Sequence, residues 1–263
     1  MVQRRLFRAM FVGDSITHGK DGDYTWRYRL WEWLKQENIE VEFVGPYDGT
    51  YMNGEEPPDQ LNAPQQRLDN TAVVARYPTG RYAPGVAASF PKEHYSWWGR
   101  QARQVIDTIG GVVATYKPQY VLLMLGFNDL AWFATDVEGT LESVRRVVRN
   151  IQASAPDTHV LVANIVQRTF LGDVNASLPA KTRKFNETLR ESIADWSTRT
   201  SKVRLVDVEE HYNCGPESCP DGYDGLHPNK FGEYHIAEAF SKTLQEEHGF
   251  GKNPFVDPFT TLG

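Results

Sequence analysis

Apolar and polar positions along the chain fall into blocks that switch between two periods. "LFRAMFVG" (6–13) and "VEFVG" (41–45) are apolar runs of strand length, and between them "YRLWEWLKQEN" (28–38) sets its large side chains at helical spacing. "RQARQVIDTIGGVVATY" (100–116) has a helical pattern despite its Gly pair, and it leads into "YVLLMLG" (120–126). That run is continuously apolar, as expected of a strand covered on both faces. Further on, a helix over 137–154 precedes a strand over 159–166, and a helix over 181–199 precedes a strand over 203–208. A last amphipathic helix occupies 230–247. Five strands alternating with helices predict an α/β fold with a parallel sheet covered on both faces. Trp26, Leu30, Trp31 and Trp33, at helical spacing, are expected to pack in the core.

Two stretches break this rhythm. Residues 46–95 are rich in Pro, Gly, Asn and Asp and carry little periodicity. Loops that long in compact domains are usually functional lids or binding loops, or else disordered. Residues 209–226 form a shorter irregular stretch after the fifth strand. With no repeat, low-complexity tract or linker, residues 1–263 are expected to be one domain with a long insertion at about 46–95.

Composition narrows the partners more than the fold. Hydrophobic residues make up 40% of the chain and charged residues 24%, enough for an ordinary globular core. The formal charge is −6 and no Lys/Arg block is present, which argues against nucleic acid as a partner. No apolar run approaches the ~18 residues of a membrane-spanning helix. The N-terminal apolar stretch is interrupted by Arg8 and is too short for a signal h-region. The sequence as it stands therefore reads as cytoplasmic, or as secreted if a leader has been trimmed from it. Cys214 and Cys219, in "NCGPESC", could close a small disulfide loop or remain two reduced thiols. Two ligands with no neighbouring Cys/His pattern do not make a zinc site. Glycosylation sequons at Asn175 and Asn186 are short enough to arise by chance.

Chemistry enters with "FVGDSITHGK" (11–20) at the end of the first strand. A phosphate loop would need G-x-x-x-x-G-K-[ST], so that backbone N–H groups wrap the phosphates and a hydroxyl reaches Mg²⁺. Here five residues separate Gly13 from Gly19, and Lys20 is followed by Asp21, an acid that would repel a triphosphate. The other reading presents Ser15 as a nucleophile, which needs a base and a carboxylate to orient that base. "YDGLHPNKFGEY" sets Asp224 and His227 three apart just before the final helix, and one such turn can supply both. The competing reading of that turn is a helix cap, with Asn229 as the cap and Pro228 as stiffener. "LMLGFNDL" leaves the end of the most apolar strand, as Gly13-Asp14-Ser15 leaves the end of the first. In a parallel sheet ligands bind outside the carboxyl ends of the strands, so the two loops can share one rim. Asn128 can donate an N–H to a developing oxyanion, or close an Asx-turn.

Taken together, Gly13-Asp14-Ser15-Ile16, Gly126-Phe127-Asn128-Asp129 and Asp224-Gly225-Leu226-His227-Pro228 resemble blocks of the GDSL or SGNH hydrolases. Their order and spacing fit, and the resemblance spans nearly the whole chain. It implies a flavodoxin-like three-layer α/β/α fold around a parallel sheet of about five strands. It also implies ester chemistry with Ser15 as nucleophile, His227 as base and Asp224 as its orienting acid. The oxyanion donors it implies are the Ser15 N–H, the Asn128 side chain and the backbone N–H of a further glycine. "HYSWWGRQA" offers Gly99, just ahead of a helix where free N–H groups point outward. The family pattern has its glycine nearer the serine of this block, a position that Trp97 or Trp98 matches here. His94 in the same segment is read as exposed or structurally bonded rather than as a second base. Tyr95, Trp97, Trp98, Phe127, Trp132 and Phe133 lie close in sequence to these blocks, and some are candidates to line an acyl or alcohol pocket.

The expected activity is hydrolysis of a small-molecule, sugar or lipid ester through an acyl-enzyme, with no metal or cofactor. Acyl transfer to an alcohol is the neighbouring reaction, and a non-catalytic binding module is the alternative of another class. The intact Ser15, Asn128, Asp224 and His227 argue against the latter. "NGEEPPDQLNAPQQRLDN" within 46–95 is polar and would keep water near the site, which favours hydrolysis over transfer.

Overall fold

The computed structural model describes residues 5–54, 80–173 and 176–259. The expected lid or binding loop at 46–95 therefore falls partly outside the described residues, at 55–79.

A parallel sheet runs through the centre. Strand β1 (Leu6–Gly13) is flanked on one edge by β5 (Tyr120–Met124), followed by β6 (His159–Ala163) and β7 (Val203–Val206). Its other edge is shared. Leu6 to Ala9 pair with β2 (Glu40–Phe43), while Val12 and Gly13 pair with the end of β4 (Glu93–Ser96). A two-residue strand β3 (Tyr47–Asp48) then adds antiparallel to β4. The α/β expectation holds, with the sheet enlarged from about five strands to seven among the described residues. The added strands lie in the stretch without periodicity, where polar loop composition hid them. All five residues of β5 are buried, as a strand covered on both faces requires.

Two helical layers cover the sheet. On one side α2 (Trp26–Gln36) packs against α9 (Lys230–His248), and α9 also meets β7 and the short α8 (Val208–His211). Trp26 of α2 stacks on Phe240 of α9 with ring centroids 4.5 Å apart, and meets Phe11 of β1 edge-on at 5.1 Å. On the other side α6 (Val137–Ser154) packs between α4 (Ile109–Tyr116) and α7 (Leu178–Ser192). Asp136 caps α6 by accepting the Gly139 N–H, and Val144, Val147, Val148 and Ile151 form its buried stripe.

The helix expected over 100–116 is broken. It consists of one turn, α3 (Ala102–Val105), and then α4, with Thr108 between them donating its hydroxyl to the Val105 carbonyl while contacting the Tyr95 hydroxyl at 2.8 Å. The helix expected over 181–199 starts earlier, at Leu178 with a proline in its first turn, and ends at Ser192 in a 3₁₀ turn. Asn186, one of the two sequons, is buried within α7, where its amide pairs with both the N–H and the carbonyl of Ile165.

The sheet register decides what comes next. Gly13 is paired with Ser96 on one side and with Met124 on the other, so β1, β4 and β5 end on one row. The three loops that follow open onto one rim.

Candidate active site

The rim brings together residues from four loops. Ser15 is the first residue of α1 (Ser15–His18), a single turn capped by Asp14, whose Oδ1 accepts the Ile16 N–H at 3.0 Å. Behind that turn stands Arg27, fully buried. Its guanidinium donates to the carbonyls of Thr17, His18, Gly49 and Lys92 at 2.9–3.2 Å. A cation at the carbonyl end of a helical turn is favourably placed. Arg27 thus ties the end of the Ser15 turn to the loops around β3 and β4.

Ser15 Oγ lies 2.9 Å from His227 Nε2, and His227 Nδ1 lies 2.7 Å from Asp224 Oδ2. With the Nδ1 proton donated to Asp224, Nε2 is left to accept from the serine. Asp224 is fixed by its own turn, because Oδ1 accepts the N–H groups of Leu226 and His227 at 3.1 and 2.8 Å. Burial pushes its pKa up, but these bonds and the His227 ring outweigh that and hold it below the ordinary aspartate value. Gly225 between them has φ +83°, and a Cβ there would lie 2.0 Å from Thr169 Oγ1. Only glycine fits that position without displacing its neighbour. The helix-cap reading of the same stretch also holds, since Asn229 accepts from Phe231 and Gly232 at the start of α9. The helix cap and the Asp224–His227 pair share one loop.

Cys214 and Cys219 are joined by a disulfide. Cys214 Sγ lies 3.5 Å from the Gly225 carbonyl, so the bridge sits beneath the Asp224–His227 turn.

Asn128 is buried in α5 (Phe127–Ala131), and its Nδ2 donates to the Arg100 carbonyl at 3.0 Å and toward Asp14 Oδ2 at 3.4 Å. It reaches across to the other two loops. Next to it Asp129 accepts the N–H groups of Ala102 and Arg103, fastening α3 to α5. Gly99 lies in a turn closed by the Arg100 N–H on the Trp97 carbonyl at 3.1 Å, with φ +73°. Over it lies the Trp132 ring, 2.8 Å from where a Cβ would stand. Burial raises the pKa of Asp14 to about 7 against the pull of the Ile16 N–H, with the Asp129 charge adding to the rise.

The other histidines near Ser15 are held neutral. His94 is fully buried, with Nε2 3.1 Å from the Gly49 carbonyl and Nδ1 accepting the Ser96 N–H at 3.1 Å. Both nitrogens are spent, so it is structurally bonded and not exposed. His18, 5.1 Å away between ring centroids, is also fully buried. Desolvation and then the Arg27 charge keep both well below the ordinary histidine pKa. The candidate pocket aromatics divide. Tyr95, Trp97 and Phe127 are buried in the core, Trp98 is half-buried, and Trp132 and Phe133 are 59% and 52% exposed. Arg27 escaped the sequence reading, for a charged residue in a helical pattern reads as solvated surface, and Asp129 entered it only as a member of its block, with no role of its own.

A family model described as the GDSL-like lipase/acylhydrolase family matches residues 54–233. The chain belongs to this family. The matched span contains Gly99, Asn128, Asp224 and His227 and begins after Ser15. No curated protein matches the chain in sequence. Among solved structures it is similar to a carbohydrate esterase family 3 protein from Talaromyces cellulolyticus, at 22% identity and TM-score 0.62, covering 91% of this chain and 97% of that one. A family 3 carbohydrate esterase from Clostridium thermocellum is similar at 20% identity and TM-score 0.62, covering 94% and 100%. A mutant acetyl esterase with an acetate ion gives 21% identity and TM-score 0.63, covering 91% and 97%. At such identities the likeness establishes the fold: a mostly parallel sheet flanked by helices, as in the SGNH hydrolases. Among the described residues no helix is long and apolar enough to cross a membrane.

Proposed function

We propose that this esterase-like hydrolase cleaves carboxylic esters through an acyl-enzyme on Ser15. The observation that carries the reading is the continuous line from Ser15 Oγ through His227 to Asp224, with bonds of 2.9 and 2.7 Å. His227 Nε2 takes the Ser15 proton as Oγ bonds to the acyl carbon, and the carbonyl π electrons move onto oxygen. The oxyanion is held by the N–H groups of Ser15 and Gly99, neither of which donates to a protein acceptor among the described residues, and by Asn128 Nδ2. Of the two Asn128 bonds, the long one to Asp14 is the one an oxyanion displaces. On collapse His227 returns the proton to the leaving alcohol. Water then repeats the sequence on the acyl-enzyme, giving free acid and free Ser15.

The substrate class we test first is an acetyl ester of a carbohydrate, because three similar structures are described as carbohydrate or acetyl esterases. The exposed Trp132 face over the Gly99 turn is a flat wall that suits a sugar ring. The experiment is a panel of acetylated sugars and aryl esters of increasing acyl length, run beside Ser15→Ala. Free acid released by the wild type and not by the variant is expected. Hydrolysis that survives in Ser15→Ala overturns the nucleophile, and capture of most of the acyl group by an added alcohol replaces hydrolysis with transfer.

A further inference from the structure

The His227 imidazole stacks with two aromatic rings. Trp98 lies against it with ring centroids 4.5 Å apart and planes 20° from parallel. Tyr223 is also nearly parallel to it, at 5.8 Å and 20°. Tyr51 stacks on Trp98 at 4.7 Å, and Lys20 Nζ stands 4.3 Å from the Tyr223 ring. The rings come from separate parts of the chain: Tyr51 follows β3, Trp98 follows β4, and Tyr223 belongs to the Asp224–His227 turn. Tyr223 is 41% exposed and Trp98 only half-buried, so simple core filling does not account for either.

We infer that Trp98 is a positioning residue for the base, holding the plane of His227 and stabilising its cationic form, with the more distant Tyr223 as a weaker second contact. The inference rests on the ester-hydrolysis reading. Two physical arguments carry it. The bonds to Ser15 and Asp224 hold the imidazole at its two nitrogens, within the ring plane. A flat ring stacked 4.5 Å away limits tilting of that plane. The second argument is electrostatic. An indole face is negative and attracts a cation within about 6 Å of its centroid. Neutral imidazole gains little from that face. Imidazolium exists only once the Ser15 O–H bond has broken and the proton sits on Nε2, while Oγ bonds to the acyl carbon. The attraction is therefore felt in the transition state and not in the bound ground state, which is the condition for raising kcat. Trp98 carries more of it than Tyr223, whose face is already shared with the Lys20 ammonium. The other charged groups acting on His227 are Asp224 at 2.7 Å and Asp23, which interacts with it electrostatically; Arg168 in turn interacts electrostatically with Asp224.

The test compares Trp98→Leu, Trp98→Phe and Tyr223→Leu on the ester that wild type turns over fastest. Trp98→Leu is expected to lower kcat about three- to thirty-fold, with KM within about two-fold of wild type. Trp98→Phe keeps a flat face and is expected to regain most of the loss, and Tyr223→Leu to lose less. A rise in KM at unchanged kcat, or no change in either constant, overturns the inference. A second readout needs no substrate. Imidazolium quenches a stacked indole, so wild-type tryptophan fluorescence is expected to change as His227 is protonated. That change should vanish in both Trp98→Phe and His227→Gln. Its persistence in both overturns the stack. If Trp98→Leu fails to fold, Trp98→Phe carries this arm alone. If no ester is hydrolysed, the esterase reading fails while the fluorescence still decides the contact.

Discussion

Ser15 Oγ and His227 Nε2 stand 2.9 Å apart although 212 positions of sequence separate them. Ser15 is held by a turn at the end of β1, with Arg27 behind it, and His227 by the Asn229-capped entry to α9. Because α9 packs on α2, and Thr25 at the head of α2 donates its N–H to Glu233 of α9 at 2.7 Å, the two halves of the site are clamped through the same helix pair. The distance is a property of the fold, set by how these elements pack.

From this geometry His227→Ala is expected to lower kcat by several orders of magnitude, with KM little changed. His18 and His94 are buried and held neutral, so neither replaces the base. Asp224→Asn should lose a comparable or smaller factor, because the turn survives in part while the tautomer of His227 is no longer dictated. Steady-state kinetics of the two variants checks this, and wild-type turnover in His227→Ala would move the base elsewhere.

Asn128→Ala tests the oxyanion assignment. Loss of one such donor typically lowers kcat by about 10²–10³, or ~2.7–4 kcal/mol. Asn128 also bonds the Arg100 carbonyl, so part of any loss could come from the loop that holds Gly99. Asn128→Asp removes the same N–H groups at constant size and adds charge facing Asp14, so it tests loss of the donor without loss of side-chain volume. Both variants are expected to lose kcat with KM nearly constant, and a change confined to KM would make Asn128 a substrate-positioning residue.

How much of this was legible beforehand depends on what each residue is for. The long strands announced themselves because β5 is buried on both faces and must be apolar throughout. The blocks at Gly13–Ile16 and Gly126–Asp129 were legible because each follows the end of a strand, where a parallel sheet collects its loops; the Asp224–Pro228 block instead stands just ahead of α9. What stayed hidden is held by tertiary contact. The short strands β3 and β4 are fixed by two antiparallel pairs and by the last residues of β1, too few positions to impose a period of two. Arg27 lies in an ordinary helical pattern, and nothing local shows that four backbone carbonyls surround it. Cysteine spacing likewise allowed a disulfide without requiring it; the approach of Cys214 to the Gly225 carbonyl belongs to the folded turn.

Asp14 gives the site a pH signature in stability. Its folded pKa of about 7 lies above the ordinary 3.8, with burial the main cause. Between those values the folded protein keeps a proton that the unfolded chain has released, so stability falls as pH rises through that window. Asp14→Asn cannot ionise yet still accepts the Ile16 N–H as a cap. The variant should match wild type near pH ~4 and exceed it near pH ~8 by about 1–4 kcal/mol. Urea midpoints at the two pH values measure this. A gap that does not change with pH would mean that Asp14 is ionised in the folded protein throughout.

Gly225 offers a test of how tightly the Asp224–His227 turn must fit. Its φ of +83° is unfavourable for any residue with a Cβ, and that Cβ would lie 2.0 Å from Thr169 Oγ1 and 3.1 Å from Thr169 Cβ. Gly225→Ala therefore combines a backbone term of about 1–2 kcal/mol with a clash that must be relieved by moving one loop. Moving the turn shifts Asp224 and His227 together, so kcat should fall along with stability. Thr169→Ala removes the nearest clashing atom and leaves the φ term and the tight Cβ contact in place. If sterics at this contact move the base, the double variant should recover much of the lost kcat but only part of the lost stability. If the two losses simply add, the contact does not couple to the site, and the turn tolerates displacement.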